Sequence, residues 1–272
     1  MLSAWKSKNL IRGAFARTHG FDVYEERHPH SYLPFRNSIF SSLDRIFCIS
    51  EHGTDYLKHR YEYQERFRTF RLGVEDREPV STQLNSGFVR LMSVSSIVPV
   101  KNLELLIKVI AAIDDIRIDW RHIGSGNRDY EDSVLRLAED YLGSKSNVTY
   151  SFMGHLSHED VMQTIQAIRP HALMNTSSFE GIPVSMMEAA SMGIPLIGPN
   201  ICGVPEIIRN GINGFLFELG SVTEASDRIR TLANLTPEAY QEMCANSLSI
   251  QRTDFSAETN FRTLSETILN CC

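Results

Sequence analysis

Cysteine is scarce in this 272-residue chain: five residues, Cys48, Cys202, Cys244, Cys271 and Cys272, form neither an even disulfide framework nor a C-x-x-C metal pattern. A reduced, cytoplasmic setting is the simplest one for such thiols. No stretch approaches the roughly 20 apolar residues needed to span a bilayer, so the chain reads as soluble or at most peripheral. Cations are not in excess either. Against 27 Lys and Arg stand 33 Asp and Glu, a net charge of −6, which argues against a nucleic-acid partner. There is no Asp-x-Asp triad to hold a divalent ion, no internal repeat and no low-complexity tract. What is present is ordinary globular material: 42% hydrophobic residues, enough for one large or two modest domains.

The first acidic residue is Asp22, and Lys6, Lys8, Arg12 and Arg17 precede it among apolar residues, a composition that can pass for a transit peptide. Residues 12–22 read better as a buried strand and its loop, so cleavage there would remove fold rather than an address. A membrane-surface helix over residues 5–12 is the remaining lipid reading, a peripheral contact at the inner face of a membrane.

From Phe88 onward, strand-like and helix-like patterns alternate at the interval of a βα unit, which predicts a doubly wound parallel sheet covered on both faces. Strands are expected at 88–94, 116–123, 148–152, 172–176 and 195–198. Helices are expected at 129–142, 158–168, 183–192, 222–235 and 237–248. Another is marked by Leu103, Leu106, Ile107 and Ile110 at the spacing of one buried stripe. Residues 73–250 make a usual domain size. Before Gly73 only a few elements appear: the strand within 12–22, a helix at 38–45, a strand at 46–50 and a helix at 52–60. They are too few for a complete domain of this kind. Residues 251–272 are read as a C-terminal helix packing back toward the N-terminal part.

The most informative stretch is Asn175-Thr-Ser-Ser-Phe-Glu180-Gly-Ile-Pro-Val-Ser-Met-Met-Glu188-Ala-Ala-Ser-Met-Gly193-Ile-Pro195. An apolar strand runs into a polar turn, then into a helix entered through Gly181, Ile182, Pro183 and Val184. Proline at the first helical position loses no hydrogen bond, because the missing N–H has no acceptor there. The free N–H groups of that turn, backed by the helix dipole, suit a diphosphate. Glu188 lies in the second turn, and side chains lean toward the helix N-terminus, so its carboxylate is expected to rise toward the ligand and accept from a ribose diol. Glu180 precedes the helix, where the sugar beyond the diphosphate would lie. The dipole alone also favours acidic residues in early turns.

Glu180 and Glu188 match the E-x7-E signature of the retaining GT-B glycosyltransferases (family 4-like) that include enzymes resembling glycogen and sucrose synthases. The likeness continues through Gly193-Ile-Pro195, Gly203-Val-Pro-Glu206 and Gly211-Ile-Asn-Gly214. The resemblance implies one complete Rossmann-like donor domain, residues 73–250, and the last part of an acceptor-side domain, residues 1–72. It gives Glu188 the nucleotide ribose and Glu180 the donor sugar. Lys101 looks like the family's phosphate lysine, opening the first helix of the donor domain. The arginine usually found about five residues earlier is replaced by Ser95-Ser96, where Ser96 offers a hydrogen bond without charge. His19, in Arg17-Thr-His19-Gly-Phe-Asp22, resembles the acceptor-domain histidine that faces the donor sugar, with Asp22 close enough to be its partner. Phe152-Met-Gly154-His155 matches the loop beside the nucleobase, and Gly124-Ser-Gly126 a glycine turn near the site.

By that resemblance the chain is expected to move a sugar from a nucleoside-diphosphate sugar, its co-substrate, to a hydroxyl of a sugar or lipid-linked glycan acceptor. Neither cofactor nor metal is expected. The setting would be polysaccharide or glycolipid assembly. An alternative is a nucleotide-sugar-binding module, inactive alone, that needs a separate acceptor-domain subunit. A GT-B-like epimerase is a third reading, against which the Glu pair and Gly203-Val-Pro-Glu206 weigh.

Overall fold

Strands β1 (Phe15–Thr18), β2 (Arg45–Cys48) and β3 (Phe67–Thr69) form a parallel sheet in that order, connected through helices α1 (Arg36–Ser42) and α2 (Glu51–Arg60). These coordinates come from a computed structural model that describes Trp5, Lys8 and residues 10–271. Of the surface helix expected over residues 5–12, residues 6, 7 and 9 lie outside the described residues, and residues 10–12 are not helical. Helix α2 starts where Ser50 accepts from the Gly53 amide at 3.0 Å, and its last turn carries Lys58 and Arg60, cations that complement its dipole.

The second sheet is larger. It holds β4 (Phe88–Val94), β5 (Arg117–Ile123), β6 (Val148–Phe152), β7 (Ala172–Met174), β8 (Leu196–Pro199) and β9 (Gly214–Phe217), all parallel, in the order β6-β5-β4-β7-β8-β9. Its crossovers are helices α3 (Leu103–Ala111), α4 (Arg128–Leu142), α5 (His158–Ile168), α6 (Val184–Ser191) and α7 (Val204–Ile207), followed by α8 (Val222–Ala233), α9 (Pro237–Asp254) and α10 (Ala257–Asn270). One face buries Leu106, Ile107 and Ile110 of α3, Val134 of α4 and Ile229 of α8 against Val89, Leu91, Trp120 and Ile197. The other buries Ile165 of α5, Met186 and Met187 of α6 and Ile250 of α9 against Met92, Leu173 and Leu196. Each such side chain contributes roughly 1.5–3 kcal/mol by leaving water. No helix among the described residues is long and apolar enough to cross a membrane.

Several ends differ from expectation. Strand β7 stops at Met174 because Asn175 and Thr176 turn their side chains to local backbone groups: Asn175 Oδ1 accepts from the Ser177 amide at 2.8 Å, and Thr176 Oγ1 donates to the Lys101 carbonyl at 3.1 Å. Helix α9 runs past Leu248 to Asp254, since Ile250 and Gln251 remain buried on its packed face. The three-residue β3 was not anticipated.

Two features seat the smaller sheet on the larger one. Across the junction, a Cβ on Gly20 would lie 2.7 Å from the Gly181 amide nitrogen, and behind it, within the larger part, one on Gly203 would lie 2.0 Å from the Gly181 carbonyl oxygen. Only glycine permits that approach. Beside it, Glu206 accepts from the amides of Glu51 and His52 at 3.0 and 2.9 Å, and from Arg71 at 3.1 Å, so a carboxylate of one part caps a helix of the other. Helix α10 crosses back as well: Asn260 donates to the Leu72 carbonyl at 2.9 Å, and the Arg17 guanidinium lies over the Phe261 ring at 5.1 Å.

Candidate functional site

The chain leaves β4 toward β5 and β6 on one side, then returns to place β7 on the other side of β4. Where the order reverses, the loops after β4 and β7 part and leave a crevice at the carboxyl ends of the strands, the usual ligand position in such sheets. Here the two loops are stitched together. Ser178 donates to the Val100 carbonyl through its amide at 2.8 Å and its hydroxyl at 3.2 Å, and Thr176 reaches the Lys101 and Asn102 carbonyls. The loop carrying Lys101 is thereby fixed against the loop carrying Glu180.

A cleft of about 400 Å³ opens above them. Ser95, Ser96 and Lys101 line it from the β4 side, and Glu180, Gly181, Ile182, Pro183, Val184 and Ser185 from the β7 side. His19, Phe21 and Arg27 close it from the first sheet. Lys101 Nζ donates to Glu180 Oε1 at 2.6 Å, and Glu180 is only 8% exposed. Lys101 sits in a 3-10 turn, Pro99–Lys101, ahead of α3 rather than opening it, because Asn102 takes a left-handed conformation between them. Pro183 is likewise the N-cap of α6, in extended conformation, and the helix begins at Val184. Its carbonyl accepts from the Met186 and Met187 amides, while those of Val184 and Ser185 have no acceptor among the described residues.

Below the cleft lies a buried polar support. Trp120 Nε1 donates to Ser93 Oγ at 2.9 Å, and Ser93 Oγ shares a second hydrogen bond with His122 Nδ1, also at 2.9 Å. Burial holds His122 neutral by pulling its pKa down to about 4. Nearby, burial also raises the thiol of Cys202, which stands beside Glu180.

Glu188 is elsewhere. Its carboxylate accepts from His158 Nε2 at 2.8 Å and lines an adjoining hollow of about 370 Å³ with Gly73, Val74, Arg77 and Ser191. The carboxylate thus meets the first residue of α5 and lines this hollow, not the cleft of Lys101 and Glu180. Asp22 also departs from expectation: it accepts from the backbone N–H of His19, fixing that turn and not the imidazole. Gly154 lines neither space. Its carbonyl accepts from the Gly124 amide at 2.9 Å, which ties the β6 loop to the glycine turn after β5. No three His, Cys, Asp or Glu side chains among the described residues gather closely enough to ligate a metal ion.

The sequence matches the family described as Glycosyl transferases group 1 over residues 74–247, more than half of the chain. The chain belongs to that family. Among curated relatives of the chain, the putative colanic acid biosynthesis glycosyltransferase WcaL of Escherichia coli is 22% identical over 94% of the chain. A GDP-mannose-dependent monoacylated alpha-(1-6)-phosphatidylinositol monomannoside mannosyltransferase of Corynebacterium glutamicum is 26% identical over 78% of it. The chain spans 64% of the first relative's length and 57% of the second's. Among solved structures, Anabaena Alr3699/HepE in complex with UDP-glucose superposes with a TM-score of 0.80 at 17% identity, covering 94% of this chain and 72% of that one. Staphylococcus aureus TarM gives 0.74 at 19%, covering 94% and 49%. The chain has the Rossmann-like α/β architecture of the GT-B fold.

Sequence reasoning missed Arg27, His158 and Arg77, charged or ring side chains that line the two spaces. Arg27 belongs to a loop without periodicity, and His158 reads simply as a first-turn residue after the Ser157 cap. Only the tertiary structure brings His158 to Glu188, thirty positions away.

Proposed function

We propose that the chain binds a nucleoside-diphosphate sugar and acts in retaining transfer of that sugar to a hydroxyl of a sugar or lipid-linked glycan acceptor, in polysaccharide or glycolipid assembly. The observation that carries this reading is the single cleft, at the reversal of strand order, that joins the unaccepted amides of Val184 and Ser185 to Lys101 and Glu180. Breaking the bond between the sugar's C1 and the phosphate oxygen builds negative charge on the leaving diphosphate. Donors held ready for that charge lower the barrier without reorganising. Lys101 and the start of α6 are such donors, so the chemistry is assigned to the protein's own cations and amides, without a metal.

Lys101 is paired with Glu180. Donor binding shares the ammonium between carboxylate and phosphate, while Glu180 and His19 accept from and orient the sugar. Glu188 takes the ribose diol from the adjoining hollow, with His158 holding the carboxylate in place. Ser96 and the backbone of Gly181, Ile182, Pro183 and Val184 border the diphosphate, and the loop at Gly154 borders the base. The names of the relatives support the donor class: one is GDP-mannose-dependent and another was crystallised with UDP-glucose.

The test is calorimetry with UDP, GDP and ADP and the corresponding nucleotide sugars. One of the three diphosphates is expected to bind, with Glu188→Ala and Lys101→Ala each weakening it at least about tenfold, the loss in a charged hydrogen bond. Affinity unchanged in both variants refutes the assignment.

A further inference from the structure

Resting on the nucleotide-sugar reading, we propose that Arg27, from the first sheet's side of the cleft, binds the distal phosphate of the donor and so joins the two parts of the molecule through the ligand. The reason begins with charge. Lys101 is paired with Glu180 at 2.6 Å, and the neighbouring Ser95 and Ser96 carry no charge. Arg27 lines the same cleft half-buried, with no ion-pair or hydrogen-bond partner for its guanidinium among the described residues. The guanidinium lies 5.6 Å from the Phe21 ring and close enough to Cys202 to act on that thiol, and neither contact neutralises it. It is the uncompensated cation of the site.

Position selects the distal phosphate. Arg27 faces the cleft shared by Lys101, Glu180 and the α6 N-terminus, whereas Glu188 belongs to the other hollow, one turn further along α6. A donor with its ribose at Glu188 therefore runs its diphosphate away from that end and presents the outer phosphate to Arg27. A planar guanidinium suits two oxygens of one phosphate, a geometry a lysine ammonium does not reproduce.

The experiment measures nucleoside diphosphate and monophosphate binding by calorimetry in the wild type, Arg27→Gln, Arg27→Lys and Glu188→Ala. Arg27→Gln is expected to lose about tenfold or more for the diphosphate, to keep its monophosphate affinity, and to show a shallower salt dependence, with Arg27→Lys in between. Glu188→Ala is expected to lose affinity for both. Equal diphosphate affinity in Arg27→Gln and wild type, while Glu188→Ala binds worse, overturns the role of Arg27 and leaves the nucleotide-sugar reading standing. Loss of both nucleotides alike in Arg27→Gln, at an unchanged melting temperature, also overturns it. Failure of the wild type to bind any diphosphate removes both proposals.

Discussion

Replacing Glu206 by alanine removes the carboxylate that holds the two sheets together. Its two oxygens accept from the Glu51 and His52 amides, the first free N–H groups of α2, and one of them also accepts from Arg71. The side chain is 13% exposed and Arg71 is 29% exposed, so the ion pair itself counts for little and the two capping bonds dominate. Hydrogen bonds to a charged group contribute about 1.5–3 kcal/mol each, but water can reach exposed Glu51 and His52 once the carboxylate is gone, which returns part of that. A net loss of about 2 kcal/mol follows. For a chain of this size that lowers the apparent melting midpoint by roughly 5 °C. Calorimetric melting together with amide hydrogen exchange is the assay: Glu51 and His52 should lose protection, and Glu206→Gln should fall between wild type and alanine. A Glu206→Ala protein with unchanged midpoint and unchanged exchange at those amides refutes the reasoning.

Two further outcomes are expected. His122 is held neutral with a pKa of about 4 against an ordinary 6.5, so the unfolded chain binds its proton first. Stability is then full above pH 6.5 and declines by about 3 kcal/mol as pH falls toward 4, and His122→Phe should flatten that part of a urea-unfolding series against pH. Gly203→Ala would put a Cβ 2.0 Å from the Gly181 oxygen, and moving that backbone should cost roughly 1–3 kcal/mol in thermal or urea unfolding while weakening nucleoside-diphosphate binding at the adjacent α6 N-terminus.

The larger sheet was legible because a parallel sheet with both faces covered leaves continuous apolar strands between helices of one buried stripe. Strands β4 and β6 and helix α5 have the expected bounds. The smaller sheet was legible only in part: β3 is Phe-Arg-Thr with a single buried side chain, too short to carry a period. At the candidate site, local pattern gave the loop and the helix entry but not where the side chains turn. Helix geometry suggests that Glu188 leans toward the α6 N-terminus, but it does not announce the histidine of another helix that the carboxylate meets there. Arg27 had no pattern to announce it, since its place follows from how one sheet sits on the other.

That seating gives three short motifs a common physical reason within this one chain. His19-Gly20, Glu180-Gly181 and Gly203-Val-Pro-Glu206 each set a glycine beside, or one turn before, a side chain with polar work to do. The glycines meet: Gly20 and Gly203 approach the amide and the carbonyl of Gly181 more closely than any Cβ allows. Because the backbones touch there, His19 and Glu180 are brought to opposite walls of one cleft, and Glu206 comes within reach of the amides that start α2. A methyl group at the contact acts on all three at once, so the position of the histidine, the carboxylate of the cleft and the cap of α2 are coupled through backbone packing and not through any direct bond between them.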